Sequence, residues 1–143
     1  MGTHRLLQAN GAFLVVMGGA ASVADAVGYF WGRGPMALVT FHAPLAISSF
    51  ESHLLALLLG VVLVTGAHAP DARRIHALAA ATHVVLGGSN LLFFERAFGA
   101  LDMRTFGVVI TACHLFFVLA QTLAALPVRR DVATITVGSK QLA

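Results

Sequence analysis

Four stretches of this chain are each apolar for about the thickness of a bilayer's hydrocarbon core, and that repetition constrains the fold more than any other feature. A spanning helix needs roughly 20 mostly apolar residues. The stretches run at about residues 9–31, 47–69, 75–95 and 105–126. Helix-breaking or polar residues separate them. Gly32-Arg33-Gly34-Pro35 closes the first, and Pro70-Asp71-Ala72-Arg73-Arg74 turns the chain after the second. Arg96 to Arg104, with Gly99 and Asp102, forms a short polar loop after the third, and Pro127-Val128-Arg129-Arg130 stops the fourth. The 143 residues leave room for one domain. They are 58% hydrophobic and 10% charged, against about 25% charged in an average soluble domain. So short a chain cannot hide that much apolar surface from water. The expected fold is all-α, an integral membrane four-helix antiparallel bundle over residues 1–130, followed by a flexible polar tail at 131–143. The short turn after the second stretch forces its neighbours to be antiparallel.

Residues 32–46 form the longest connection. They carry Met36, Leu38, Val39, Phe41, His42 and Pro44. Open coil cannot lie in hydrocarbon, because its backbone groups would lack partners. This segment is therefore expected at the interface, as a short helix or cap. Basic residues set the orientation. Arg5, Arg73, Arg74, Arg129, Arg130 and Lys140 lie on one side, and Arg33, Arg96 and Arg104 on the other. That imbalance predicts both termini in the cytoplasm; the expected location is the plasma (cell) membrane. An alternative makes the start a cleaved signal peptide, with Arg5, the apolar run Ala12 to Ala20, and a cleavage site at Ser22-Val23-Ala24. The apolar run continues to Trp31, which favours a span.

A net charge of +3, with its basic residues at the ends of apolar runs, argues against nucleic acid as a partner. The single Cys113 excludes an internal disulfide and a multi-cysteine zinc site. No phosphate-binding glycine loop, nucleophile elbow, or kinase or protease signature is present. No histidine pair has the local spacing of a metal motif, and no cofactor or metal is expected. Ser48, Ser49 and Ser52 are expected to cap the second helix rather than act as nucleophiles. Tyr29, Phe30 and Trp31 fit an aromatic belt at the membrane surface.

Residues seven apart lie close to one helix face. Each stretch holds small or polar residues at that spacing: Gly11, Gly18 and Asp25; His53, Gly60 and Ala67; His76, His83 and Asn90; Gly107, His114 and Gln121. Small residues let membrane helices approach, and polar groups prefer the bundle interior to lipid. The four stripes should therefore face one another, with Gly18 and Ser22 adding a close contact. Depth along the helices brings Asp25, His53, Asn90 and His114 together in the outer half. Asp25, His53 and His114 are the candidate catalytic residues. Asn90, Glu51, Glu95, His42 and Trp31 are the candidate ligand-binding residues, with Glu51 and Glu95 bordering the mouth and His42 covering it. The same groups have a plainer reading as interhelical hydrogen bonds that fix register.

The layout is similar to that of several small four-helix membrane families, including the DoxX-like and sterol-isomerase-like proteins. The similarity is one of architecture, matches no signature motif, and carries no residue roles across. Three functions remain open. The first is a small polytopic membrane protein that binds a hydrophobic small molecule or a partner membrane subunit. The second is a membrane enzyme doing acid/base chemistry on an isoprenoid- or sterol-like substrate. The third is a proton- or ion-coupled transporter subunit, in a homo-oligomer or larger membrane complex. Membrane lipids are the expected surroundings in all three. An enzyme requires a cavity around Asp25, a structural protein requires direct hydrogen bonds without one, and a transporter requires a polar path inward through His83, His76 and Gln121.

Overall fold

The computed structural model describes residues 2–40 and 43–126. The described residues are helical, with no strand among them. Helix α1 spans Thr3–Trp31, the short α2 Ala37–Thr40, α3 Ala43–Thr65, α4 Ala72–Leu92 and α5 Arg104–Ala125. A 3-10 turn, Gly66–His68, extends α3, and a π-helical turn, Glu95–Gly99, lies between α4 and α5. The four long helices are each long and apolar enough to cross a membrane. The end where α1 and α4 finish is called outer below, and the opposite end inner. His42 and the tail at 131–143 lie outside the described residues, as do Arg129, Arg130 and Lys140.

Helix bounds differ from the apolar runs for local reasons. Helix α1 starts at Thr3, ahead of the apolar run, because Thr-His-Arg-Leu-Leu-Gln contains nothing that breaks a helix. Helix α3 starts at Ala43 and so takes in Pro44. Proline is tolerated in a first turn, where its missing N–H would have no partner anyway. Ser48, Ser49 and Ser52 consequently sit inside the helix rather than at its cap. Helix α1 ends at Gly32, whose φ of 60° is left-handed and whose N–H bonds the Gly28 carbonyl. Within the long connection, α2 forms one turn and packs against Gly28, where a Cβ would lie 2.6 Å from Thr40 Oγ1.

The packing is built from two close helix pairs. Helix α1 lies on α3 with backbones almost touching: a Cβ on Gly11 would lie 2.6 Å from the Gly60 carbonyl oxygen. A Cβ on Gly18 would lie 2.7 Å from the His53 carbonyl oxygen. Numbers rise along α1 as they fall along α3. Helix α4 lies on α5, joined by His83–His114 and His76–Gln121 hydrogen bonds. The pairs meet each other chiefly at the inner half. There Leu7, Leu14, Leu63, Ala67 and Ala79 form an apolar core, with Phe13, Leu59, Ile75 and Leu86 against it. Toward the outer end the pairs part.

The burial pattern is inverted relative to a water-soluble protein. Asn10, Asp25, His76, His83 and Gln121 are at most 1% exposed, whereas Val16, Leu55, Val85, Phe116 and Leu119 are all at least 61% exposed. The small and polar stripes face inward: Gly11, Gly18, Asp25, Gly60, Ala67, His76, His83, Gly107, His114 and Gln121 are buried, and His53 and Asn90 partly buried.

Candidate functional site

Asp25 ends the stripe on α1 and is buried against α3. Ser49 Oγ–H donates to its Oδ1 at 3.0 Å, and His53 Nδ1–H donates to its Oδ2 at 2.6 Å. Ser49 and His53 are four apart, so one face of α3 presents both to the same carboxylate. The carboxylate fixes the imidazole's orientation and assigns its proton to Nδ1 in the neutral ring. The His53 Nε2 then carries a lone pair and has no hydrogen-bond partner among the described residues.

Deeper in, α1, α4 and α5 share a second polar group. His83 Nε2–H donates to Asn10 Oδ1 at 2.6 Å. An amide oxygen only accepts, so in the neutral ring His83 Nδ1 must accept in turn. The donor is His114 Nδ1–H, at 2.8 Å. That leaves His114 Nε2 as a bare acceptor, in the same condition as His53 Nε2. Phe117 stacks on His83 with ring centroids 5.0 Å apart, and Phe13 and His114 meet in a T-shaped pair with centroids 6.0 Å apart. Further inward, His76 Nδ1–H donates to Gln121 Oε1. Ala79 and Ala80 on α4 and Phe117 on α5, all buried, come between the two groups in sequence, and no hydrogen bond among the described residues links Asn10–His83–His114 to His76–Gln121.

Two cavities meet at His53. A small one of about 200 Å³ is lined by His53, Asn90 and His114, with Phe13, Phe98 and Phe106 among its apolar walls. Three of the four residues expected to converge therefore line one cavity, and Asp25 stands directly behind His53. A larger cleft of about 810 Å³ opens between the helix pairs at the outer end. Met17 and Ala24 of α1, Leu38 and Val39 of α2, and Leu45, Ser49 and His53 of α3 form one wall. Phe93, Arg96, Phe98, Leu101 and Phe106 form the other. A third hollow of about 250 Å³ lies beside Asp25, between Tyr29, Phe30 and Phe50.

The other expected ligand-binding residues are placed differently. Glu51 and Trp31 are exposed and line none of these three cavities. Glu95 is exposed and held by Arg104 at 2.8 Å. Sequence reasoning did not single out Asn10 or assign Ser49 to Asp25. Asn10 lies off the heptad stripe, but at four-residue steps with Leu14, Gly18 and Ser22, all buried. Among the described residues no group of three or more His, Cys, Asp or Glu side chains could hold a metal ion. Comparison with known protein families, curated proteins and solved structures finds no match.

Proposed function

We propose that this chain is a small polytopic membrane protein, an antiparallel bundle of four spanning helices, that binds a hydrophobic small molecule in the cleft between its two helix pairs. Two features support lipid as its surroundings: the polar residues turned inward and the large apolar side chains turned outward. Buried polar groups without hydrogen-bonded partners are costly in hydrocarbon, which favours this inverted arrangement.

The observation that carries the ligand reading is the cleft itself. At about 810 Å³ it falls within the roughly 300–1,000 Å³ range of small-molecule pockets. Its walls are mainly aliphatic and aromatic, with few polar groups. That composition suits a hydrophobic body carrying a limited number of polar atoms. His53 is the oriented polar group on the α3 wall, where its Nε2 can accept a hydrogen bond.

A test is binding of an environment-sensitive hydrophobic fluorophore to the protein in nanodiscs. Ala20 is exposed and lines the cleft, so Ala20→Trp fills the mouth at little folding cost. Saturable binding that Ala20→Trp weakens by about tenfold or more, some 1.4 kcal/mol, supports the reading. Equal binding by the two proteins removes it.

A second reading rests on the Asp25–His53 pair. A buried carboxylate holding a histidine by Nδ1 is the arrangement of a general base and its orienting group. On this reading the cleft takes a lipidic substrate and His53 moves a proton at Nε2. Asp25→Asn would then abolish turnover while leaving ligand affinity largely intact.

A further inference from the structure

The cleft contains one permanently charged side chain, Arg96, on the wall opposite His53. No acidic side chain among the described residues is paired with it. The adjacent Glu95 is engaged by Arg104, whose Nη2 and Nε donate to Glu95 Oε2 at 2.8 and 3.3 Å. Asp25 is engaged by Ser49 and His53 and does not line this cleft. Arg96 has no ion-pair partner among the described residues. A guanidinium offers donors only, in a planar fork matched to carboxylate and phosphate oxygens. It stands here beside Phe93, Phe98 and Leu101, against an apolar hollow.

We infer that the cleft's occupant is a single-chain anionic amphiphile, its carboxylate or phosphate head on Arg96 and its apolar chain along the cleft. This rests on the ligand-binding reading above and adds the charge of the head group. Charge complementarity points to an anion, since Arg96 lines the cleft with its donors free of any acidic partner among the described residues. The cleft's volume, in the range of drug-sized pockets, suits one chain better than the two of a bilayer phospholipid. The guanidinium fork can bond two oxygens of a carboxylate or phosphate at once, whereas an ammonium makes a point contact, so lysine should replace it incompletely.

The experiment compares a fluorescently labelled long-chain carboxylate with the alcohol bearing the same label and chain, on the protein in neutral phosphatidylcholine nanodiscs. Wild type should hold the carboxylate about tenfold more tightly than the alcohol, the scale of a charge-assisted hydrogen bond. Arg96→Gln should erase that preference by weakening the carboxylate alone, and Arg96→Lys should restore part of it. Arg96 is exposed, so neither substitution threatens the fold. If both probes bind equally to wild type, or Arg96→Gln leaves the preference intact, the head-group assignment is wrong while the cleft reading stands. If neither probe binds, the cleft reading itself fails. Nanodiscs enriched in phosphatidylglycerol form the last arm. Loss of the carboxylate probe there would make a two-chain lipid the occupant and overturn the single-chain assignment.

Discussion

Replacing Gly18 by alanine tests a close backbone approach of α1 to α3 and its link to the site. The new Cβ would lie 2.7 Å from both the His53 carbonyl oxygen and the Leu57 amide nitrogen, and 3.2 Å from Leu57 Cα. Ordinary contact begins at 3.4 Å. Helix α3 must therefore retreat by about 0.7 Å, because the obstructing atoms are backbone and no rotamer change relieves them. The same retreat carries His53 away from Asp25, taking a 2.6 Å bond toward the upper limit of about 3.2 Å for a good one. Overpacking of this kind costs about 1–3 kcal/mol, and interhelical hydrogen bonds in membranes average about 0.6 kcal/mol. A loss on the order of 2 kcal/mol is expected. Gly88→Ala is the control: a Cβ there meets nothing within 4 Å, and helix propensity predicts a neutral change or a gain of up to about 1 kcal/mol. The assay is reversible unfolding in mixed micelles with dodecyl sulfate as denaturant, followed by far-ultraviolet circular dichroism. A Gly18→Ala midpoint equal to that of Gly88→Ala would refute the contact.

Three further outcomes follow from the same packing. His76→Leu leaves buried Gln121 without its partner and should destabilise by about 1–3 kcal/mol, whereas His76→Leu with Gln121→Leu should recover most of that loss in a double-mutant cycle. Asp25→Ala strips both Ser49 and His53 of their acceptor and should lower the unfolding midpoint more than Ser49→Ala, which removes one of the two bonds; the same micelle assay ranks them. In a Cys113→Ala background, cysteines placed at Arg74 and Arg96 should react with a membrane-impermeant maleimide from opposite sides of sealed vesicles. Labelling of both from one side would contradict the proposed four-span topology.

The helices are legible in the sequence because apolarity over a span's length is a composition signal, and glycine, proline and arginine punctuate it. Their bounds are less so. Hydropathy marks where apolar residues begin, not where a backbone begins to coil, which is why α1 starts at Thr3 and α3 takes in Pro44. The inward faces are legible because a heptad of glycine and polar residues is an unusual use of positions that lipid would fill with leucine. What the stripe could not supply is pairing. The stripes place His114 at the level of Asp25, yet its Nδ1 bonds His83, because α5 lies on α4 while Asp25 faces α3. Asn10 completes that group from α1 at four-residue steps, a ridge that a seven-residue count passes over. The polar residues from Arg96 to Arg104 suggest a loop where the structure has the π-helical turn Glu95–Gly99. Its Phe98 packs where a Cβ on Gly107 would lie, at 2.5 Å from the ring, and a loop assignment carries no such contact.

The inner and outer halves divide the work of holding and opening the molecule. At the inner half, Leu7, Leu14 and Leu63 interlock with Ala67 and Ala79, and Asn10 reaches across to His83, so the two helix pairs are joined there by packing and by a buried hydrogen bond. At the outer half, each pair keeps its own contacts while the space between them stays unfilled. Helix α1 remains locked to α3 through Gly18 and the Asp25–His53 bond, and α4 to α5 through Gly87, where a Cβ would come within 3.1 Å of His114 Cβ. A ligand entering the cleft therefore need not break either pair. The way in would run past α2 and the Glu95–Gly99 turn, which line the cleft from opposite sides. The Glu95–Arg104 pair is exposed at both ends, and surface ion pairs contribute little to stability, so it is a weak fastening for that turn. Its greater effect is to occupy the one carboxylate adjacent to Arg96 in sequence. Arg104→Gln should thus lower carboxylate affinity in the cleft without touching it, and Glu95→Gln added to that variant should restore it.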